Sequence, residues 1–326
     1  MSKKKILVTG AFGFIGSNLV EYLVENNYQV LAFDRYNSDS SYGYLENSKY
    51  FNDIEFILGD IRDYDSVNKA LKNCSICIHL AALIGIPYSY ISPIAYLKTN
   101  LEGTYNVLES IKNLNTEQVI ITSTSEVYGT AQSIPIDEKH RLNAQSPYAA
   151  SKISADHLGL SYYNSFDIPL KIIRPFNTYG PRQSARAIIP TIILQCLNAD
   201  NELKLGNLHV QRDFTYVLDL CDAYLKAIKC NELYGEIFNV GSNQMINLNR
   251  LIEIIFSKIN IRKKILSDNA RIRKKESEVE RLQADNSKFV KFTEWSPKIS
   301  LDEGIEKTIK WIKENHHRFN KNIYYV

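Results

Sequence analysis

The sequence predicts an α/β fold built around a parallel sheet that is covered by helices on both faces. In the first half, short apolar runs alternate with longer runs of helical periodicity, which is typical of strand–helix repeats. The short runs consist almost entirely of Ile, Leu and Val, as expected for strands that are buried on both sides. The length of 326 residues favours about two domains.

Six strands are predicted in the first half, and a helix follows the first of them. The segment FIGSNLVEYLVENN (14–27) places Phe14, Leu19, Leu23 and Val24 near one face, which is the helical pattern. The predicted strands are KILVTG (5–10), YQVLAFD (28–34), DIEFILGD (53–60), SICIHLAA (75–82), EQVIITSTS (117–125) and LKIIRP (170–175).

The second half is less regular, and the boundary between the halves falls near residue 175. A charged stretch at 261–287 is expected to consist mainly of loops. The other predicted elements are helices at 187–197, 217–228, 247–259 and 301–316 and a strand at 235–242.

Composition excludes several classes of function. The net charge of +3 is too small to favour nucleic acid or an anionic membrane as a partner, and no run approaches the roughly 20 apolar residues of a membrane span. The five cysteines are odd in number and irregularly spaced, which favours a reducing compartment, and we expect a cytoplasmic protein. Cys74 and Cys77 form a C-x-x-C in a predicted strand and are expected to be packing residues, with no metal site.

Three glycines follow the first predicted strand and open the first predicted helix. Gly10, Gly13 and Gly16 form a G-x-x-G-x-x-G pattern. Such a turn lets backbone N–H groups and the helix N-terminus approach a pyrophosphate, so the pattern predicts a dinucleotide site. The alternative is that the glycines serve only close helix–strand packing.

Acidic residues end two of the predicted strands, and the first of them favours NAD as the dinucleotide. Asp34 ends the second strand, where a carboxylate accepts hydrogen bonds from the adenosine ribose and repels a 2′-phosphate. The neighbouring Arg35 could accommodate that phosphate, so NADP remains an alternative, though a weaker one. Asp60 and Ile61 end the third strand, where an adenine would rest, although Asp60 could equally cap a turn.

A tyrosine and a lysine share one face of a predicted helix. Tyr148 and Lys152 are four residues apart, a spacing that also occurs on exposed helices. A tyrosine base needs its pKa lowered by about 3 units from about 10, which is roughly 4 kcal/mol of preference for the phenolate. The Lys152 ammonium and a cationic nicotinamide could supply it. Thr124 could donate a hydrogen bond to the same substrate oxygen.

At this point the chain resembles the extended short-chain dehydrogenase/reductases that modify nucleotide sugars. The resemblance rests on VTGAFGFIG, GDIRD, HLAA, TSTSEVYG, YAASK, RPFNTYGPRQ, QRDFTYVLDL and FNVGS. It implies a Rossmann-type doubly wound sheet at 1–175, to which a segment near 215–241 returns, and a smaller C-terminal α/β substrate domain at 176–326. It also implies a homodimer formed through 93–114 and 148–165.

The resemblance implies further cofactor-binding residues besides those discussed above. They surround the glycine turn and the ends of the third and fourth strands, and two of them are Tyr148 and Lys152. The others are Gly10, Phe12, Gly13, Phe14, Ile15, Gly16, Asp34, Asp60, Ile61, Ala81, Ala82 and Asn100.

Glu126 is the residue that favours one reaction within this group. Epimerases of the family carry small or neutral residues there, whereas a 4,6-dehydratase needs a base to remove the sugar C5 proton after C4 is oxidised. Tyr148 would take the C4 hydroxyl proton, and NAD would carry the hydride from C4 to C6. Dehydratases of deoxythymidine-diphosphate glucose have an aspartate at the position of Ser125, and this aspartate acts as an acid. GDP-mannose dehydratases resemble this chain in having a serine there. We infer that Glu126 carries the proton to the leaving C6 hydroxyl while Ser125 positions it; alternatively Glu126 is only solvated.

Three stretches make the chain similar to dehydratases of nucleotide-linked N-acetylglucosamine in legionaminic acid biosynthesis, with GDP or UDP as the nucleotide. These are 85–90, 176–193 and 276–288. A nucleotide-glucuronate decarboxylase, a 4-epimerase and an inactive dinucleotide sensor remain alternatives. Lys274 replaces a proline that the family usually has, so the basic run at that point could be a solvated loop. The substrate-binding residues that the resemblance implies are Pro87, Tyr88, Asn177, Arg182, Arg212 and Arg273.

Overall fold

The structure is a computed structural model that describes residues 4–114, 116–272 and 275–319. Its strands are β1 Lys5–Thr9, β2 Gln29–Arg35, β3 Ile54–Gly59, β4 Ile76–His79, β5 Gln118–Thr122, β6 Leu170–Pro175, β7 Asn177–Tyr179, β8 Glu202–Leu205, β9 Gln211–Tyr216, β10 Glu236–Val240, β11 Met245–Asn247 and β12 Lys264–Ser267. Its α-helices are α1 Phe14–Glu25, α2 Tyr64–Leu71, α3 Ile86–Ile91, α4 Pro93–Tyr96, α5 Gly103–Leu114, α6 Pro147–Phe166, α7 Ile188–Leu197, α8 Val217–Lys229, α9 Leu248–Ile259, α10 Ser287–Thr293 and α11 Leu301–Glu314.

The central sheet has seven strands in the order β10-β6-β5-β4-β1-β2-β3, and each neighbouring pair is parallel. The chain winds outward from β1 in one direction through β2 and β3 and in the other through β4, β5 and β6. This is a doubly wound Rossmann-type sheet, and the predicted fold class is confirmed.

Alternate residues of each strand face two separate hydrophobic cores, because successive side chains of a strand point to opposite faces. On β1, Ile6 and Val8 pack in the core that includes residues of α1 and α8. Leu7 lies between them in sequence and packs in the core that includes residues of α2 and α5. Burial on both faces explains the continuous apolar runs of these strands.

The second half contains strands that the sequence analysis did not predict. β11, β9 and β7 form a three-stranded sheet, and β12 pairs with β8 in parallel. β12 lies inside the charged stretch that was expected to be loops, and alternation of apolar and polar residues is nearly absent in its sequence KILS. Its pairing depends on β8, which lies about 60 residues earlier in the chain and gives no local signal.

Two further findings concern the expectations from composition. The five cysteines are free thiols, and Cys74 and Cys77 are both buried in the sheet region, as expected for packing residues. Within the described ranges, no helix is long and apolar enough to cross a membrane, and no cluster of three or more His, Cys, Asp or Glu side chains is arranged to hold a metal ion.

Candidate active site

A cavity of 1280 Å³ lies at the carboxyl ends of the central strands, between the sheet and the C-terminal part of the chain. This is the edge of an open α/β sheet where ligands bind. The predicted site residues that line it are Gly10, Gly13, Phe14, Ile15, Gly16, Asp34, Asp60, Ile61, Ala81, Ala82, Pro87, Tyr88, Thr124, Ser125, Glu126, Tyr148, Lys152, Asn177 and Arg212.

The three glycines of the turn after β1 have different roles. Gly10 has φ of +69°, a conformation that favours glycine, and a Cβ there would lie 2.8 Å from the Ala81 nitrogen. A Cβ on Gly16 would lie 2.1 Å from the Gly10 oxygen, so Gly16 serves helix–strand packing. A Cβ on Gly13 would meet only the Gly10 oxygen, at 3.5 Å. Gly13 therefore keeps open the space in front of the α1 N-terminus, where backbone N–H groups lack helical acceptors.

Asp34 connects this turn to β2. Its Oδ2 accepts a hydrogen bond from the Phe12 nitrogen at 2.8 Å, and its Oδ1 accepts one from the Arg35 nitrogen at 2.7 Å. Burial raises the pKa of the carboxyl group, and these two hydrogen bonds oppose the increase. Phe12 is thus an indirect member of the site: its backbone orients Asp34 although it does not line the cavity.

Of the two roles considered for Asp60, the structure shows the turn cap, and the contact with an adenine stays a prediction. Its Oδ1 accepts hydrogen bonds at 2.9 Å from the backbone nitrogen and from Nε of Arg62, so it caps the turn after β3. It also lines the cavity beside Ile61. The hydrogen bond to Arg62 lowers the pKa of the Asp60 carboxyl group.

Tyr148 and Lys152 lie in the first turns of α6, which begins after the capping residue Ser146. Both are almost fully buried, with 7% and 3% of their surface exposed. The Lys152 ammonium donates to the carbonyl oxygen of Thr122 at 2.6 Å, which fixes this end of α6 against the end of β5. Thr124 lies two residues after the end of β5 and contacts the Tyr148 phenol through its hydroxyl group.

The protein alone does not produce a tyrosine base. Burial raises the pKa of Tyr148 above its usual value; a hydrogen bond from Thr124 opposes this, and the charge of Glu126 reinforces it. Burial also lowers the pKa of Lys152 to about 8. The Lys152 ammonium was expected to act together with a cationic nicotinamide, and without that cofactor the surroundings of Tyr148 favour the phenol.

Glu126 lies in a single 3₁₀ turn, Ser125–Tyr128, at the end of β5. Its backbone nitrogen donates to the Thr124 hydroxyl at 3.2 Å, so the turn is capped by the residue that also contacts Tyr148. The Glu126 side chain is half-buried and lines the cavity, and Ser125 next to it is buried. This local geometry brings a carboxylate to the same wall of the cavity as Tyr148.

Among the described residues, Asn100 and Arg182 also lie outside the lining of the cavity. Asn100 bonds to Leu83 at both ends of its amide, so it shapes the loop after β4. Arg182 donates from Nη2 to both carboxylate oxygens of Glu21 on α1, at 2.9 and 2.8 Å. Its guanidinium thus lies against α1 and not at the predicted sugar and diphosphate position. Arg273 lies outside the described residues.

The substrate side of the cavity contains cationic residues that sequence reasoning missed. Arg186 and Arg271 both line it, as does Arg212, which forms an ion pair with Glu278 at 3.3 Å. Arg186 belongs to the stretch 176–193, which resembles the N-acetylglucosamine dehydratases. Within this stretch, Arg182 was the predicted substrate-binding arginine. A guanidinium suits phosphate and carboxylate oxygens because it binds them bidentately.

Comparison with known proteins identifies the family. The sequence profile described as GDP-mannose 4,6 dehydratase matches residues 7–308. This chain belongs to that family, within the extended short-chain dehydrogenase/reductases. Relatives of this GDP-mannose 4,6-dehydratase family member include 4-epimerases, 4,6-dehydratases and a decarboxylase of nucleotide sugars, so the chain is an enzyme of the nucleotide-sugar group whose reaction the family alone leaves open.

The alignments with individual relatives span nearly the whole of this chain. A putative UDP-glucose 4-epimerase of Methanocaldococcus jannaschii is 34% identical over 95% of this chain and 99% of its own. The X-ray structure of Pal from Bacillus thuringiensis has a TM-score of 0.85 at 33% identity and covers 95% of this chain and 99% of that one. The dTDP-glucose 4,6-dehydratase of Bacillus anthracis, solved in complex with NAD, has a TM-score of 0.85 at 28% identity and covers 96% and 98%.

NAD is the cofactor of this family member, and the structure fits it. The space in front of Gly13 suits a pyrophosphate, and the Asp34 carboxylate lines the cavity where the ribose of a dinucleotide would lie. When bound, NAD supplies a hydride acceptor and donor next to Tyr148.

The glycine turn leads to a first prediction. Gly13→Ala should leave the thermal unfolding temperature nearly unchanged but weaken NAD binding, because its methyl group occupies the pyrophosphate space. Gly16→Ala should instead destabilise the fold by about 1 to 3 kcal/mol, since its Cβ collides with the backbone. Calorimetric unfolding and NAD titration of both variants check this, and the reverse pattern would contradict the assignment of Gly13 to the cofactor.

A second prediction concerns cofactor choice. Asp34→Asn keeps an acceptor for the Phe12 N–H but removes the charge. Loss of a charged hydrogen bond to the ribose should weaken NAD binding about tenfold or more and narrow the preference over NADP. Titration of NAD and NADP into both proteins measures it. The idea fails if the unmodified protein binds the two cofactors equally well.

Proposed function

We propose that this enzyme is an NAD-dependent nucleotide-sugar 4,6-dehydratase that converts GDP- or UDP-N-acetylglucosamine into the 4-keto-6-deoxy sugar. The observation that carries the proposal is the Glu126 carboxylate, which lines the same cavity as Tyr148 and Thr124 and is near enough to raise the pKa of Tyr148. A base at this place is needed for proton removal from carbon, and 4-epimerisation does not need it.

The oxidation step assigns roles to Tyr148, Thr124 and Lys152. NAD, held by the glycine turn and Asp34, would supply a hydride acceptor for sugar C4 and a hydride donor for C6. Tyr148 takes the proton of the C4 hydroxyl group, and the Thr124 hydroxyl donates a hydrogen bond to the same oxygen. Lys152 lies one helical turn after Tyr148, and its ammonium would favour the phenolate over the phenol together with the positive charge of a bound nicotinamide.

The elimination step assigns roles to Glu126 and Ser125. Once C4 is a ketone, the C5 hydrogen is acidic, and Glu126 removes it as a proton. The same carboxyl group then gives that proton to the C6 hydroxyl, which leaves as water, while Ser125 positions the hydroxyl. C5 regains a proton at the end, and the proton that Tyr148 took from C4 balances it, so the net change is the loss of one water.

The arginines on one wall of the cavity support a substrate that carries a nucleoside diphosphate. Arg212 and Arg271 line the cavity beside Asn177. The similarity of 85–90, 176–193 and 276–288 to N-acetylglucosamine dehydratases supports that sugar. The nucleotide base would contact the wall that includes Leu205, Asn207 and Leu248.

One observation favours a second candidate, a reaction on a nucleotide-linked uronic acid. Decarboxylation of such a sugar needs a cation for its carboxylate. Arg186 provides one, because its Nη1 lies 3.2 Å from where a Cβ on Gly85 would be, and Gly85 accepts a hydrogen bond from Tyr96, whose ring packs against Tyr148. The cation is therefore on the Tyr148 side of the cavity.

The dehydratase proposal predicts different blocks in two variants. Tyr148→Phe should not oxidise the sugar, because the C4 hydroxyl proton has no acceptor. Glu126→Gln should still oxidise it and should accumulate enzyme-bound reduced nicotinamide, seen as a persistent absorbance. Both should lose about a hundred- to ten-thousandfold in overall rate.

Stopped-flow absorbance with nucleotide-linked N-acetylglucosamine distinguishes the two blocks. Ser125→Ala changes the same turn but keeps the carboxylate, so it should slow elimination less than Glu126→Gln does. Normal dehydration by Glu126→Gln would mean that the carboxylate is structural and would overturn its assignment as the base.

We also propose that the enzyme is a homodimer formed through 93–114 and 148–165. Large apolar side chains are exposed in the first segment and just before it: Ile94 is 60% exposed, Leu97 and Tyr105 are also exposed, and Ile91, which precedes the segment, is 70% exposed. Exposed apolar side chains that lie close together on a surface are typical of a protein interface.

Substitution of this face tests the dimer. Ile94→Asp should convert the dimer to a monomer because it places a charge in the apolar contact. Ile261→Asp, at an exposed isoleucine after α9, is the control and should remain dimeric. Sedimentation velocity measures both, and an unmodified protein that sediments as a monomer would overturn the proposal.

A further inference from the structure

A buried ion pair lies directly behind the catalytic tyrosine and lysine. Asp156 on α6 accepts hydrogen bonds at its Oδ2 from Arg174 Nε at 3.0 Å and from the Ser123 hydroxyl at 2.8 Å, and Arg174 Nη2 lies at 2.9 Å. The side chains of Arg174 and Asp156 are only 2% and 1% exposed. The other carboxylate oxygen of Asp156 is buried and has no hydrogen-bond partner in the described part of the chain.

This arrangement is unusual for a purely structural contact. A buried charge is costly, and an ion pair in the interior is often no more stable than apolar residues of the same volume. Buried carboxylate oxygens are normally hydrogen-bonded, and one oxygen of Asp156 is not. A functional reason for this carboxylate is therefore needed.

The position of Asp156 supplies that reason. It is four residues after Lys152 on α6, so the two side chains lie on the same face of the helix. Ser123, which binds Asp156, comes directly after Thr122, whose carbonyl accepts from Lys152. Asp156 and Lys152 are thus joined both along α6 and through the end of β5.

Arg174 is itself held at its other end. Its Nη1 donates to the Tyr128 hydroxyl at 2.9 Å, and Tyr128 donates to Asn239 Oδ1 at 2.7 Å. Tyr128 ends the 3₁₀ turn that contains Glu126. The guanidinium therefore has a single orientation, and it fixes the carboxylate of Asp156 in turn.

The charged and titratable groups around Lys152 come from four parts of the chain. On α6, burial lowers the pKa of Lys152 and the charge of Asp156 opposes this, while Tyr148 is a neutral phenol. On β4, burial and the charge of Lys152 lower the pKa of His79 to about 3, so His79 is neutral. After β5, Glu126 acts on Tyr148, and on β6 Arg174 is paired with Asp156.

We propose that Asp156 is a positioning residue that keeps the buried Lys152 ammonium charged where α6 meets β5, and that Arg174 and Ser123 hold its carboxylate there. The proposal rests on the roles of Tyr148 and Lys152 in the proposed function. It applies equally whether the sugar is dehydrated, epimerised or decarboxylated, since each begins with oxidation at C4.

The direct test is the titration of Lys152 in the NAD-loaded enzyme. Lysine labelled with ¹³C at Cε is followed by NMR as the pH is changed, and the Lys152 signal is assigned by its loss in Lys152→Met. In Asp156→Asn the Lys152 pKa should fall by about one pH unit, because a neighbouring opposite charge has been removed. Ser123→Ala removes one hydrogen bond to the carboxylate but leaves its charge, so it should lower the Lys152 pKa less than Asp156→Asn does.

A double variant keeps the test valid if Asp156→Asn does not fold. Asp156→Asn combined with Arg174→Gln removes both charges of the pair and leaves no unpaired guanidinium, and the Lys152 pKa should again fall. An unchanged Lys152 pKa in either folded variant would overturn the proposal and make the pair a structural contact only.

The pH dependence of turnover gives a second readout. In Asp156→Asn, Lys152 should lose its proton at a lower pH than in the unmodified enzyme. The alkaline limb of the kcat profile should therefore shift to lower pH by about one unit. Asp156→Glu should keep the limb near its original place. A lower rate with an unmoved limb would also overturn the proposal. The NMR titration needs no sugar, so a failure of the proposed reaction does not affect it.

Discussion

The hydrogen bond from the Lys152 ammonium to the carbonyl of Thr122 fixes the geometry on which the rest of the site depends. It joins the first turns of α6 to the last residue of β5. Thr124 and Glu126 follow within four residues of that carbonyl, and Tyr148 is one helical turn before the ammonium. A single buried contact between helix and strand therefore sets the distances between the groups that would handle protons on the sugar.

The same contact explains the electrostatics of the site. A buried ammonium is costly, and the chain reduces this cost with a carbonyl oxygen on one side and the Asp156 carboxylate on the same helix face. His79, beneath it, is held between the hydroxyl groups of Thr9 and Thr104 and is neutral. Tyr148 is also neutral in the protein alone. A bound cofactor with a positive charge would therefore lower the proton affinity of Tyr148.

The parts of this account that the sequence predicts are those with local signals. Continuous Ile, Leu and Val runs predicted the six sheet strands of the first half, and glycine spacing predicted the turn after β1. Tyr148, Lys152 and Glu126 came from short motifs next to predicted strand ends. The predicted strands ran too far at the carboxyl end of β4, where 80–82 already belong to the cavity loop, because the same apolar residues line a ligand site.

The parts that the sequence did not predict depend on distant partners. Arg182 and Arg186 are four residues apart and look alike in sequence, but Glu21, 161 residues earlier, holds Arg182 against α1. The strand β12 forms only because β8 is beside it. In the sequence, Asp156 is an ordinary polar residue of α6. Its contacts with Arg174 and Ser123 are visible only in the fold. In each case the decisive interaction joins residues that no local pattern connects.

The central claim is that this cavity removes water from a sugar through a carboxylate at the end of β5. Its most direct measurement is mass spectrometry of the products formed from GDP- and UDP-N-acetylglucosamine by the unmodified enzyme with NAD in deuterated water. The account predicts a product that has lost one water and gained deuterium at C5, without net consumption of NAD. A product that has neither lost water nor gained carbon-bound deuterium, or the accumulation of one reduced cofactor for each sugar converted, would contradict it.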